Sequence, residues 1–128
     1  FLVGDTLYLG RERASNINEK DFYILDVANP LAPVVLGSKR LGLNPNTAIE
    51  GIAVAGPYAF LATSDSTKGF QLWQIDDPAN IVQPSACSNF NYSEKARGLV
   101  YADNLVFMAN ESNAALRIIY DQPSVCTP

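Results

Sequence analysis

Short apolar runs, rich in Val, Ile, Leu, Phe and Tyr, alternate along this chain with Gly, Asp, Asn and Pro. Runs of roughly four to eight such residues between turn formers indicate β-strands, and the chain lacks the apolar spacing of an amphipathic helix. Four strands are predicted in the middle of the chain: residues 51–55, 58–62, 70–75 and about 81–88. The third has apolar side chains on both faces, which indicates a strand covered on both sides.

This pattern repeats. The segment EGIAVAGPYAFLAT (50–63) aligns without a gap to RGLVYADNLVFMAN (97–110), matching Gly51 to Gly98 and Phe60 to Phe107 at an offset of 47 residues. FLVGDTLYLG, at the start of the chain, fits the same template at an offset of 52. FYILDVANP (22–30) aligns to FQLWQIDDP (70–78) at an offset of 48, and LRIIYDQP (116–123) is a clipped third copy.

A period of this length is typical of β-propeller blades and of some helical solenoids, and the strand-type composition favours blades. The predicted fold class is all-β, with about three four-stranded antiparallel units at a period of about 47 residues. The units form a single partial domain with the following bounds: blade 1 about 1–41, blade 2 about 49–90 and blade 3 about 96–128.

Two segments resemble the LVIVD repeat: DFYILDVANPLAPVVLG (21–37) and GFQLWQIDDPANIV (69–82). The shared features are an apolar strand, an Asp, an Asn/Asp-Pro turn and then Pro-Val; Gln74 replaces the Asp in the middle copy. The resemblance implies a propeller in a secreted or surface protein of bacteria or archaea. Most members of this family have no assigned activity. Within the turn, Asp26 is expected to accept hydrogen bonds from backbone amides.

Three blades are fewer than the roughly four to eight that close a propeller. Three arrangements would cover the two open faces. The chain, which begins at Phe1 rather than Met, is a fragment or processed part of a longer propeller, the arrangement we favour. Alternatively, two copies associate into a six-bladed ring, or other chains cap the end blades.

Composition limits the chemistry. The 128 residues carry a net charge of −4 with scattered Lys and Arg, which argues against nucleic acid as a partner, and no transmembrane segment is predicted. The absence of His removes the commonest general base and zinc ligand, and neither a cofactor nor a metal is predicted. Cys87 and Cys126 lie in predicted outer strands, where they form a disulfide or remain two free buried thiols.

The longer and more polar loops are predicted at one edge of the blades. The longest insertion, GRERASNINEKD, contributes candidate partner-binding residues: Arg11, Glu12, Arg13, Glu19, Lys20 and Asp21. Loops on a rigid scaffold commonly bind partners; the alternative is a solvated loop without one.

Glu50 and Arg97 occupy equivalent positions before the innermost strands of adjacent blades. They are candidate binding residues near one mouth of the central channel of a propeller. There Glu50 would hold a cation together with other acids. The alternative is that Glu50 and Arg97 form an ordinary ion pair between blades. The loop TSDSTKG (63–69) lacks the spacing of a phosphate-binding loop and precedes a strand, so that interpretation is rejected.

These features favour a non-catalytic, extracytoplasmic module, located outside the cell or at its surface, or else in the periplasm. It would bind a protein or surface partner, or self-associate to close the propeller. Two alternatives stay open: a metal-dependent hydrolase with carboxylates at the channel mouth, and a structural subunit of an extracellular filament.

Overall fold

The computed structural model describes residues 1–13, 15–84 and 94–120. These residues contain ten β-strands and no helix. The strands, in chain order, are β1 (Leu2–Val3), β2 (Thr6–Gly10), β3 (Phe22–Asp26), β4 (Val34–Lys39), β5 (Ile49–Ala55), β6 (Tyr58–Thr63), β7 (Phe70–Gln74), β8 (Ala96–Ala102), β9 (Leu105–Asn110) and β10 (Leu116–Tyr120).

Three antiparallel sheets divide the strands in chain order. Sheet I contains β1 to β4, sheet II contains β5 to β7 and sheet III contains β8 to β10. Within a sheet, every strand pairs with its neighbour in sequence, so each sheet is a meander joined by turns and loops. The all-β class and the antiparallel units predicted from sequence are therefore confirmed, while the sheets are open at their edges and do not close a ring.

Sheet I has the four predicted strands. In sheet II the predicted fourth strand is represented, within the described residues, by a single bridge between Gln74 and Val82. The rest of that predicted strand, including Cys87, lies outside the described residues, as does Cys126. The predicted disulfide therefore stays a prediction.

Turn chemistry explains why the strands reverse where they do. Gly56 follows β5 with φ of 54°, and Asp103 and Asn104 follow β8 with φ of 51° and 61°. Two-residue hairpins need positive φ at these positions, which Gly, Asn and Asp adopt at the lowest cost. At the turn that follows β3, the backbone amide of Ala28 donates to Asp26 Oδ1 at 2.9 Å, as predicted.

Two apolar cores lie between successive sheets. The first core, between sheets I and II, buries large side chains such as Phe22, Ile24, Leu61 and Trp73. The second, between sheets II and III, buries Phe70 and Met108 among others. We call the surface of each sheet that faces the next sheet in sequence its front, and the opposite surface its rear.

Close backbone approach between sheets II and III depends on a glycine. A Cβ placed on Gly51, in β5, would lie 3.0 Å from Gly98 Cα and 3.0 Å from the Leu99 nitrogen in β8. Because these are backbone atoms, a side chain at this position would force the two sheets apart.

Candidate functional site

The polar edge of the stack consists of the loops that follow the second strand of each sheet and those that precede the first strand of the next. These segments are residues 11–21, 40–48, 64–69, 94–95 and 111–115. The opposite edge has the tight turns. There Val27 N, directly after β3, donates to Asp5 O in the β1–β2 turn at 2.8 Å. The predicted gathering of long loops at one edge follows from this strand order.

Residues 11–21, which we call the first loop, are tied down at several points. The Arg11 amide donates to the Asp21 carbonyl at 3.0 Å and closes the base of the loop. The Arg40 guanidinium donates to the carbonyls of Asn16 at 2.7 Å and Glu19 at 3.2 Å. These bonds hold the described residues of the loop, 11–13 and 15–21, against the sheet.

The first loop also pairs with sheet II. Arg13 N donates to Thr47 O at 2.7 Å and Ile49 N donates to Arg11 O at 3.2 Å, around an antiparallel bridge between Glu12 and Ala48. This backbone ladder extends β5 toward the first loop and fixes the loop relative to sheet II.

A cleft of about 330 Å³ lies between the first loop and the segment that precedes β5. Its lining is polar and consists of Arg11, Glu12, Arg13, Ser15, Glu19, Pro45 and Asn46. Arg11 and Glu19 form an ion pair at 3.4 Å, with both side chains about half exposed. The cleft thus has two guanidinium groups and two carboxylates, and its formal charge balances.

Four of the predicted partner-binding residues, Arg11, Glu12, Arg13 and Glu19, therefore line one cleft. Lys20 is outside that lining. Asp21 lies in the interior: it is fully buried, and its Oδ2 accepts a hydrogen bond from the Leu41 amide at 2.9 Å. Asp21 therefore anchors the base of the loop and offers no contact surface.

Glu50 and Arg97 meet because of two equivalent irregularities in the sheets. The β5–β6 register shifts between Ile49 and Gly51, and the β8–β9 register shifts at the equivalent point between Ala96 and Gly98. A bulge leaves one residue unpaired and re-aims its side chain. The residues unpaired in the ladder are Glu50 and Arg97, whose Oε1 and Nη1 lie 3.7 Å apart.

Arg97 also contacts a second carboxylate, that of Glu111, at 3.0 Å. Both pairs are partly exposed, so each contributes little to stability, about 0 to 1 kcal/mol. Within the described residues, no group of three or more acids, Cys or His is placed to hold a metal ion. The geometry of Glu50 and Arg97 is that of an ion pair joining sheets II and III.

Asp65, in the loop between β6 and β7, is a buried polar group that the sequence does not mark. Its side chain is fully buried and accepts four hydrogen bonds. The donors are Asn44 N at 2.7 Å, Asn44 Nδ2 at 3.0 Å, Thr67 N at 2.8 Å and Thr67 Oγ1 at 2.8 Å. Burial acts to raise the pKa of Asp65, but these hydrogen bonds outweigh it and leave the pKa below its ordinary value.

The equivalent position in sheet III is Ser112. Its hydroxyl accepts from the Ala114 amide at 3.1 Å and donates to Glu94 Oε2 at 3.0 Å. Arg117 also donates to Glu94, at 2.9 Å. Hydrogen bonds from Arg117 first and Ser112 second lower the pKa of Glu94. In both sheets one buried or half-buried polar group therefore ties the loop to the segment preceding the first strand.

No protein-family model matches this chain, and no curated protein sequence matches it. Among solved structures, the crystal structure of the computationally designed Ika4 protein resembles it with a TM-score of 0.63 at 13% sequence identity. The alignment covers 95% of this chain and 64% of the designed chain. At this identity the likeness concerns the fold alone.

Among the described residues there is no helix of the length and apolar character that a bilayer crossing requires.

Proposed function

We propose that this chain is a three-blade β-propeller segment of the LVIVD-repeat type that acts outside the cytoplasm as a non-catalytic binding module. Each sheet would be one blade, and the polar edge would contact a protein or surface partner. The meander order within each sheet and the face-to-face packing of successive sheets support the propeller architecture.

The observation that carries the binding role is the cleft between the first loop and the segment preceding β5. Its walls are held by backbone hydrogen bonds to sheet II and by Arg40, so the backbone that carries its charged side chains is in place before any partner arrives. Preorganisation of this kind reduces the entropy lost on binding. The alternating Arg and Glu side chains suit a partner with both donors and acceptors, such as an extended peptide.

The hydrolase alternative depends on Glu50 as a cation ligand. Glu50 is paired with Arg97, and a guanidinium at that distance competes with a cation for the carboxylate. The structure thus gives the hydrolase less support than it gives the binding module. The filament-subunit alternative would use the outer sheet faces rather than the cleft.

A peptide selection tests the binding role. A phage-displayed random peptide library is selected on the immobilised chain, and the affinity of each selected peptide is measured for variants. Peptides that use the cleft should bind the Arg11→Ala/Arg13→Ala variant at least about tenfold more weakly, the effect of about 1.4 kcal/mol.

A matched control removes two charged side chains at the opposite edge, Asp5→Ala/Asp76→Ala, and should leave the affinity unchanged. Equal affinity for the cleft variant and the wild type would refute the assignment of the cleft as the contact surface. So would an equal loss in both variants.

A further inference from the structure

The backbone of Glu12 points its donor and its acceptor away from sheet II. Glu12 pairs with Ala48 in the short antiparallel ladder between the first loop and sheet II. The two hydrogen bonds of this ladder, at 2.7 and 3.2 Å, join the residues on either side of that pair. In an antiparallel pair flanked in this way, the N–H and C=O groups of both central residues point away from the partner strand.

The outward groups of Ala48 have a partner, whereas those of Glu12 have none among the described residues. Ala48 O accepts from Ser64 N at 3.0 Å, and Ala48 N donates to Ser64 Oγ at 2.8 Å. Glu12 is exposed, and no residue of the described ranges hydrogen-bonds to its N–H or C=O. We call these two groups the open edge. An unpaired strand edge is a template for pairing with another chain.

The open edge belongs to the cleft, because Glu12 is one of the residues that line it. The cleft volume of about 330 Å³ is near the lower end of the roughly 300 to 1,000 Å³ typical of ligand pockets, so it suits a segment of a few residues. None of the lining residues belongs to a strand. The rear of sheet I and the front of sheet III therefore form no part of this site, and the site does not depend on what covers those faces.

The two arginines beside Glu12 differ in their pairing. Arg11 is paired with Glu19 at 3.4 Å, whereas Arg13 forms no ion pair with any described residue. Alternate residues of a strand point to the same face, so Arg11 and Arg13 lie on one face of the ladder and Glu12 on the other. An unpaired guanidinium beside an unpaired backbone edge favours a carboxylate on the partner.

We propose that the cleft takes an extended acidic peptide by strand addition, in which one peptide residue exchanges two backbone hydrogen bonds with Glu12 in an antiparallel pair. In this mode of recognition, backbone bonds give affinity and alternate side chains give specificity. The peptide residue that precedes the one paired with Glu12 lies opposite Arg13. This residue is Asp or Glu, because its carboxylate pairs with the guanidinium. The inference rests on the proposed binding role of the cleft.

A second preference follows from the same register. The side chain of the peptide residue that pairs with Glu12 lies on the same face as the Glu12 carboxylate. Like charges directly opposite each other destabilise a sheet, and opposite charges stabilise it. The preferred peptide therefore has Asp or Glu followed directly by Lys or Arg.

Backbone methylation tests strand addition on peptides from the phage selection that bind Arg11→Ala/Arg13→Ala at least about tenfold more weakly than wild type. Each backbone N–H of such a peptide is replaced in turn by N-methyl. At the residue that pairs with Glu12, methylation should weaken binding at least about tenfold, because it removes a backbone hydrogen bond and blocks the approach. At either neighbour it should change the affinity by less than about threefold, because those N–H groups point away from the open edge.

Hydrogen exchange of the chain, measured by NMR, reports the same contact from the other side. The Glu12 amide has no acceptor among the described residues, so its exchange should slow at least about tenfold when the peptide is saturating. The Arg13 amide donates to Thr47 O at 2.7 Å. It is the internal control and should be protected with or without peptide.

Charge reversal tests the acidic preference. Arg13→Glu should weaken a peptide with Asp or Glu at the facing position at least about fivefold, and a peptide with Lys at that position should regain the affinity. Lys20→Glu is the matched control: it makes the same charge change in the same loop but outside the cleft lining, and it should leave the affinity unchanged. The fluorescence of Trp73, which is buried in the first core, verifies that each variant is folded.

Three results would overturn strand addition of an acidic peptide and still leave the cleft as the contact surface. They are equal effects of methylation at adjacent peptide residues, a Glu12 amide whose exchange does not change with peptide, and a loss in Arg13→Glu that Lys in the peptide does not restore. A selection that yields no peptide dependent on the cleft would instead overturn the binding role itself, and this inference with it.

Discussion

Asp65→Asn should destabilise the chain by about 2 to 3 kcal/mol near neutral pH. The substitution keeps the shape of the side chain but replaces one acceptor oxygen with an amide nitrogen. If Oδ1 keeps its bonds to Thr67, the new nitrogen faces the Asn44 amide, which in the wild type donates to Oδ2 at 2.7 Å. Two donors then meet in a fully buried site, and one buried N–H loses its partner.

The pH dependence gives the prediction its sharper form. The hydrogen bonds of Asp65 hold its folded pKa below the ordinary value of about 3.9. A lowered folded pKa means that the carboxylate contributes stability above the unfolded pKa, and that this stability is lost as the pH falls from there through the folded pKa. The side-chain amide of the Asp65→Asn variant does not titrate, so the stability gap between wild type and variant should narrow as the pH is lowered.

Urea unfolding, followed by Trp73 fluorescence at one protein concentration, measures the free energy of unfolding at neutral and at acid pH. Asp76→Asn changes an exposed carboxylate at the opposite edge, and it should alter stability by no more than about 0.5 kcal/mol. Two findings would refute the reasoning: Asp65→Asn as stable as Asp76→Asn at neutral pH, or a gap between wild type and Asp65→Asn that does not change with pH.

Three further changes test separate contacts. Gly51→Ala should cost about 1 to 3 kcal/mol in urea unfolding, because the methyl group meets the backbone of β8, whereas Gly98→Ala has open space and should be neutral or slightly stabilising; equal effects of the two would contradict the packing described. Arg117→Ala removes the main cause of the lowered Glu94 pKa, so an NMR titration of the Glu94 carboxyl should show its pKa rising toward the ordinary value, and an unchanged pKa would contradict the assignment. Glu50→Gln should alter stability by less than about 1 kcal/mol, as an exposed pair does, and a larger loss by urea titration would show that the pair does more than join two sheets.

The strands and their order could be predicted from sequence because each depends on local chemistry. Tyr58 to Ala62 is apolar between two turns, and Gly56-Pro57 and Asp103-Asn104 reverse the chain whatever surrounds them. The role of Asp26 was also predictable, since an Asp two residues before an amide in a turn commonly bonds it. These signals need no knowledge of the rest of the fold.

The roles of Asp65, Glu50 and Arg97 depend on segments distant in sequence. Nothing in TSDSTKG indicates that the Asn44 amide will lie against Asp65, since the bond joins residues 21 positions apart. The repeat alignment predicts that Glu50 and Arg97 are equivalent and that an ion pair can join them. The glycine that follows each residue, Gly51 or Gly98, is the sequence signal for the bulge that brings the two side chains together. The sequence does not predict the burial of Asp21, because its neighbours Glu19 and Lys20 are both charged, which is typical of a solvated segment.

The strict order of the strands has a consequence for how the chain gains and loses its structure. Strands pair with their neighbours in sequence, and each sheet packs against the next, so the contacts between sheets in the described residues join units that are consecutive in the chain. Such an array approximates a one-dimensional series of units coupled to their nearest neighbours. Sheet II has two neighbours and each end sheet has one, so local opening should begin at the ends, and amide hydrogens of β6 should exchange with solvent more slowly than those of β2 or β10.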